Sequence, residues 1–248
     1  MRRLLNTIKY TWWWGGWQPW ANTLLYVPMK TDLTDHSNNH FTLTNTGVSL
    51  VSNQADIDVW YFNGSSYLSW ANSSLFNFGD IHIWVWVKMA AIAHDQMIFA
   101  WVSNWNFFFG YGMGNYWGIG RNGIAWDGYY SYALNTGTWY YVTLDRSWNS
   151  LNISVNTSTV WTWTNNKTYT TSWWYQIGND GTGTLINWYM SNLIIENKAW
   201  TAQEREDYYN QTKANYWIQS LNNSLTITPN IIIPDTPDNN WTWNVLSI

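Results

Sequence analysis

Carboxylates and imidazoles are the groups through which this sequence could do acid–base or metal chemistry, and both are sparse. The three glutamates are Glu196, Glu204 and Glu206. Hydrolysis of a glycosidic bond needs two carboxyl groups roughly 5–10 Å apart, and all three glutamates fall in or just before one helical stretch. There Glu204 and Glu206 suit capping and a solvated helix face. Asp56 and Asp58 stand two apart in Gln-Ala-Asp-Ile-Asp-Val-Trp; they would share a strand face, to hold a cation or to face solvent. His36 and His40 have i,i+4 spacing in an Asn-rich turn, not on a helix, so zinc is poorly served. Asp32 and Asp35, with Asn38, offer hard oxygen ligands to calcium; capping of turns is the alternative. Cysteine is absent, which excludes disulfides, thiolate metal sites and a cysteine nucleophile. The pattern points away from an enzyme. It implies no cofactor beyond a structural calcium at Asp32, Asp35 and Asn38.

Binding chemistry is better supplied. The run Phe107 to Gly120 is aromatic and punctuated by glycine. A dinucleotide-binding loop needs strand, turn and then helix around such glycines. This run alternates like a strand, where glycine relieves crowding on one face. In and around it, Asn104, Asn106, Asn115, Arg121, Asp127, Tyr129 and Tyr130 are the residues assigned to a binding face. Amides and carboxylates hydrogen-bond sugar hydroxyls, and a tyrosine ring can stack on a pyranose. The alternative is that they are ordinary surface and packing groups.

The elements that would position these groups are strands. Leu151 to Asn156 sets an aliphatic residue at every odd position and a polar one at every even position, the period of a half-buried strand. Trp139 to Asp145 reads as its antiparallel partner, joined through a loop at Arg146 to Ser150. Asn187 to Ile195 is a further strand. Ile81, Ile83, Val85 and Val87 alternate with His82, Trp84, Trp86 and Lys88, and both sets are largely apolar, which predicts a central strand. Thr23 to Met29, Phe41 to Val51 with a bend at Gly47, and Met97 to Val102 are also strand-like. Asn63-Gly64 within Trp60 to Leu68 is a hairpin-type turn signal. Thr201-Ala-Gln-Glu204 has the form of a capping box opening a helix from about Ala202 to Ile218, with Tyr208, Tyr209 and Trp217 as docking residues. Many short strands and one late helix predict an all-β sandwich. No fixed-period repeat and no second domain are visible.

The chain has 248 residues, 46% hydrophobic and only 10% charged, with a net charge of −4. Its polar surface must therefore come from Asn, Thr and Ser. No basic cluster follows Arg2-Arg3, so the phosphate-neutralising footprint of a nucleic-acid binder is missing. No stretch approaches the roughly 18 apolar residues of a membrane span. Asn6, Thr7 and Lys9 interrupt the apolar run that a signal peptide would need.

Several motifs together resemble a known family. Tyr61-Phe62-Asn63-Gly64-Ser65-Ser66-Tyr67-Leu68, the strand Ile81 to Lys88, Leu134-Asn135-Thr136-Gly137-Thr138-Trp139-Tyr140-Tyr141-Val142, Ile177-Gly178-Asn179-Asp180-Gly181, and Asn187 to Trp200 with the capping box occur in order. The series, from about Leu24 to Asn210, resembles laminin-G-like jelly-roll domains of the concanavalin A-like lectin/glucanase superfamily. The resemblance implies two antiparallel sheets in a jelly-roll sandwich, with a concave face or rim loops used to bind carbohydrate or protein. The family's Asp-Glu pair in the last motif is Ser191-Asn192 here, which removes an aspartate that supports calcium in some members.

Tryptophan is over-represented, at 24 residues. Trp148 and Trp188 fall where the family has glycine, and Trp70, Trp105 and Trp12 to Trp14 fall among turn residues. Tight turns with positive φ suit glycine and not tryptophan. Two readings stay open: a genuinely aromatic protein, or UGA codons that the organism reads as glycine. UGA at Trp148 and Trp188 with UGG at Trp139 would establish the second, and UGG throughout the first.

The sequence thus predicts an N-terminal arm (1–22), a jelly-roll domain (23–220) and a C-terminal tail (221–248). The function expected is a non-catalytic binding or adhesion module for a glycan or surface protein, acting outside a cell, at its surface or on a virion. A structural virion or filament subunit, whose arm and tail meet neighbours or further copies, is the alternative. A glycan-cleaving hydrolase is the third reading, and the missing carboxylates oppose it.

Overall fold

A computed structural model describes residues 21–29, 32–51, 58–71, 73–76, 79–91, 96–101, 107–112, 116–121, 125–164, 174–179, 181, 185–213 and 216. The arm, most of the tail, and Asp56, Trp105 and Trp217 lie outside them. The described strands are β1 (Thr23–Val27), β2 (Thr44–Thr46), β3 (Ser49–Val51), β4 (Val59–Asn63), β5 (Tyr67–Ala71), β6 (Ile81–Met89), β7 (Gln96–Trp101) and β8 (Phe107–Gly112). They continue with β9 (Tyr116–Arg121), β10 (Ala125–Ser131), β11 (Trp139–Ser147), β12 (Ser150–Val155), β13 (Ser158–Thr164), β14 (Trp174–Ile177) and β15 (Asn187–Glu196). One helix, α1 (Ala202–Thr212), follows.

All the pairings are antiparallel. An eight-stranded sheet runs β13-β12-β11-β6-β15-β4-β3, with β1 also paired to β15. A seven-stranded sheet runs β10-β9-β8-β7-β14-β5-β2. The first half of β15 pairs with β4 and the second half with β1, where Thr23 faces Glu196. Between the halves the register shifts, and Asn192 takes φ 52° with its N–H on the Pro28 carbonyl at 2.9 Å. A β-bulge of this kind lets one strand serve two partners.

β6 shows how the sequence pattern becomes architecture. Ile81, Ile83, Val85 and Val87 face the other sheet and join the main core with Phe62, Leu68, Phe99, Phe109 and Trp188. Trp84 and Trp86 point to the opposite face, where Trp139, Tyr141, Ile194, Trp200, Tyr208 and Tyr216 form a second apolar cluster. That cluster lies between the sheet and α1. The Tyr208 ring lies 4.0 Å from Trp84 and Tyr216 is 4.1 Å from Trp86, centroid to centroid. The Trp86 indole N–H donates to Thr212 Oγ1 at 3.2 Å. Every residue of β6 is buried, which explains why both of its faces are largely apolar.

The capping box forms as predicted: Glu204 N–H donates to Thr201 Oγ1 at 3.2 Å, and Thr201 N–H to Glu204 Oε2 at 2.8 Å. The helix runs from Ala202 to Thr212 with Lys213 at its C-cap; Tyr216 is again helical, and the remaining positions up to the expected end at Ile218 lie outside the described residues. Three local readings change. The β11–β12 connection is a two-residue turn, because Arg146 pairs with Leu151 and Ser147 with Ser150. Gly47 separates β2 and β3, which belong to different sheets. Asn63-Gly64 likewise turns between sheets and closes no hairpin: β4 and β5 lie in opposite layers, and Phe62 and Leu68 are buried in the shared core. The corner is held by Asn63 N–H on Ser66 Oγ at 3.0 Å and by Ser65 N–H on Asn63 Oδ1 at 3.0 Å.

The tryptophans at supposed glycine or turn positions divide. Trp188 and Trp70 are buried in strands, so neither stands in a turn. Trp148 has φ 54° and is 82% exposed. Its backbone alone is anchored, through its N–H on Asp80 Oδ1 at 2.8 Å and its carbonyl accepting from Arg146 Nε at 3.0 Å. Trp148→Gly is therefore expected to leave stability unchanged or raise it by up to about 1 kcal/mol. Trp188→Gly should cost about 3–5 kcal/mol, as for other large core truncations. Thermal midpoints of the two variants check this.

Candidate binding face

The residue pairs that look chemically active are committed to the scaffold. His82 Nδ1 lies 2.6 Å from Asp145 Oδ1, the arrangement of an acid–base dyad. Both side chains are buried, however, and the imidazole is stacked 4.3 Å from the Trp200 ring. The same Asp145 oxygen accepts the Trp200 N–H at 2.9 Å. The other oxygen accepts Arg205 Nη1 at 2.9 Å, and Arg205 also donates to the Trp200 carbonyl at 2.9 Å. Buried as it is, this network ties α1 and the segment before it to β6 and β11. Sequence reasoning missed it; the one local signal was a histidine in a largely apolar strand.

The Asp32–Asn38 loop is similarly engaged. Asp35 accepts from the backbone N–H groups of Tyr26, Ser37 and Phe41 at 3.0, 2.8 and 2.8 Å, and from Ser37 Oγ at 2.8 Å. Asp32 accepts from Thr34 N–H at 2.9 Å and its Oδ1 lies 3.0 Å from His36 Nε2. Asn38 is exposed. Among the described residues, no three His, Cys, Asp or Glu gather to hold a metal ion.

The side of the seven-stranded sheet turned away from the main core is the remaining candidate; at β7 and β8 it is covered, since Met97 and Ala100 are buried there and Gly110 with them. In β8, Phe107, Phe109 and Tyr111 are buried in the core, so alternation assigns positions 108, 110 and 112 to the outward face. Register carries this across the meander: Gly110 pairs with Gly118, Phe108 with Gly120 and Gly112 with Tyr116, and in turn Gly118 with Tyr129 and Gly120 with Trp126. Four glycines thus occupy adjoining outward positions of β8 and β9. Gly110 is required by close backbone approach: a Cβ there would lie 2.3 Å from the Gln96 carbonyl oxygen, beside the irregular register between Met97 and Phe99.

Of the sequence-assigned binding residues, Asn104, Asn106 and Asn115 lie outside the described residues, and for Arg121, Asp127, Tyr129 and Tyr130 only the backbone is described. Register assigns position 129 to the outward row of Gly118 and Gly110. Position 130 pairs with Trp117, which pairs with Tyr111, so it belongs to the core-side row. Arg121, two residues beyond Ile119, is also on that side, at the end of β9. Asp127 sits where the register shifts between Trp126 and Gly128. The two tyrosines therefore do not share a face.

No family model matches the chain, and no curated protein matches it in sequence. Solved structures do match. The binding domain of paraclostridial mosquitocidal protein 1 aligns with a TM-score of 0.63 and 15% identity, over 77% of this chain and 52% of that one. The binding domain of botulinum neurotoxin serotype D/C aligns with a TM-score of 0.62 and 14% identity, over 77% and 52%. Domain 4 of AbnA, a GH43 extracellular arabinanase from Geobacillus stearothermophilus, was solved in complex with arabinotriose. It aligns with a TM-score of 0.63 and 16% identity, over 75% of this chain and 97% of that domain. This chain spans about half the length of the toxin binding domains and nearly all of the arabinanase domain. At such identities the likeness is one of fold, and the fold is a two-sheet jelly-roll sandwich.

Proposed function

We propose that this chain is a non-catalytic glycan-binding module whose ligand lies across the outward face of β8, β9 and β10. The observation that carries the reading is the match, over 97% of its length, to a domain solved with arabinotriose. The sheet face supports it. Glycines at positions 112, 118 and 120 lie on that side of β8 and β9, and the positions of Phe108, Trp126 and Tyr129 adjoin them in register. Aromatic residue types at such positions suit the stacking of a sugar ring. A binding module with this scaffold is at home outside a cell, at a cell surface or on a virion. No helix among the described residues is long and apolar enough to cross a membrane.

The test is a glycan array followed by titration with arabino-oligosaccharides and any array hit. The chain is expected to bind at least one glycan, and Tyr129→Ala to weaken it by about ten-fold or more, with Asp127→Ala and Asn115→Ala also weakening it. Tyr130→Ala should change affinity far less. Absence of binding to every glycan, with the chain found assembled in a particle or filament, would overturn the proposal in favour of a structural subunit.

A further inference from the structure

We infer that the cavity between α1 and the C-terminal end of β15 is a separate site for a small hydroxylated amine, such as an amino sugar. The cavity measures about 410 Å³, within the roughly 300–1,000 Å³ of small-molecule sites. Its walls carry Glu196, Glu204 and Asp207 against a single ammonium, Lys198, with the amides of Asn22 and Gln211. That ammonium is already bonded to Glu204, so the cavity keeps an excess of negative charge.

Glu196 makes this more than a group of surface acids. It is 1% exposed, and it is held by neutral donors: Thr23 Oγ1 on Oε1 at 3.1 Å and the Trp200 indole N–H on Oε2. Among the ion pairs of the described residues, none includes Glu196. Burial pushes its pKa up, against the pull of the Trp200 and Thr23 hydrogen bonds and the nearby His82 and Lys198. A buried carboxylate that only neutral donors contact is costly to keep ionised, and an ammonium in the adjoining space would offset more of that cost. Among the described residues no three His, Cys, Asp or Glu gather to hold a metal ion, which favours an organic ammonium as the cation. Hydroxyls on that molecule would meet the amides of Asn22 and Gln211.

Calorimetric titration of the full chain with glucosamine at neutral pH tests the site, with glucose and N-acetylglucosamine as controls lacking the ammonium. Glucosamine is expected to bind at least about ten-fold more tightly than either control. Glu196→Gln keeps an acceptor for the Trp200 N–H but removes the charge, and Asp207→Asn alters an exposed helix position. Each should weaken glucosamine by about ten-fold or more while the thermal midpoint stays in place. Lys198→Met, which frees Glu204, should tighten it. Equal affinity for glucose and glucosamine, unchanged affinity in both acidic variants, or no glucosamine binding at millimolar concentration would each overturn the inference. If Glu196→Gln fails to fold, Asp207→Asn decides. Arabino-oligosaccharide binding at the sheet face is independent of these outcomes.

Discussion

Asp145→Ala is expected to destabilise the protein by about 3–5 kcal/mol, the cost of leaving a buried charge without its partner. Asp145 receives His82 at 2.6 Å, the Trp200 N–H at 2.9 Å and Arg205 at 2.9 Å. Alanine would leave the Arg205 guanidinium, 5% exposed, facing an apolar cavity. Against a total stability of roughly 5–15 kcal/mol for a domain, that is a large fraction. The loss should begin at α1, so the aromatic cluster between Trp84, Trp86 and Tyr208 loosens before the main core does. Urea unfolding followed by far-ultraviolet circular dichroism measures the effect. The double variant Asp145→Leu, Arg205→Leu should cost less than Asp145→Ala alone, since no unpaired charge remains. A loss below about 1 kcal/mol, the scale of an exposed ion pair, would show that the network does not hold the helix.

Gly178→Ala should cost about 2–5 kcal/mol. Gly178 has φ 85°, where a side chain costs roughly 1–2 kcal/mol. A Cβ would also stand 2.6 Å from Phe62 Cδ1 and 3.3 Å from Ile186 Cγ1, an overpacking of the kind that costs about 1–3 kcal/mol. The backbone cannot move aside easily: Gly178 N–H donates to the Ile98 carbonyl at 3.0 Å, and its own carbonyl accepts from Ile186 N–H at 3.1 Å. Gly137 is the control. Its φ is 76°, but a Cβ would meet nothing within 4 Å, so Gly137→Ala should cost only the conformational part, roughly 1–2 kcal/mol. Denaturation midpoints of the two variants separate crowding from backbone strain.

These contrasts show which features were legible from sequence. Alternation in β6 identified both of its faces, because each side chain's direction follows from strand geometry alone. The Thr201–Glu204 capping box is likewise local and fixed the helix start. Asn63-Gly64 reported a turn correctly but not its partner: the same turn chemistry serves a hairpin or a corner between sheets, and only the burial of Phe62 and Leu68 in one core distinguishes them. The Asp145 network was not legible, since His82 is 63 residues from Asp145 and Arg205 is 60 beyond it. No local spacing encodes such a contact. The glycine-punctuated run was legible as strand, but not that positions 129 and 130 fall in opposite rows of the register, which rests on which of β8's residues enter the core.

The meeting of Thr23 with Glu196 bears on how the domain carries mechanical load. Segments flanking the sandwich enter and leave it side by side, so tension between them would part β1 from β15 one rung at a time, as a zipper opens, instead of shearing all rungs together. The helix changes the order of events. A pull from beyond Thr212 must first peel α1 from its aromatic bed and break the Arg205–Asp145 pair before it reaches the β1–β15 seam. The clamp that stabilises the resting fold is thus also the first latch that a tethered, stretched molecule would have to release.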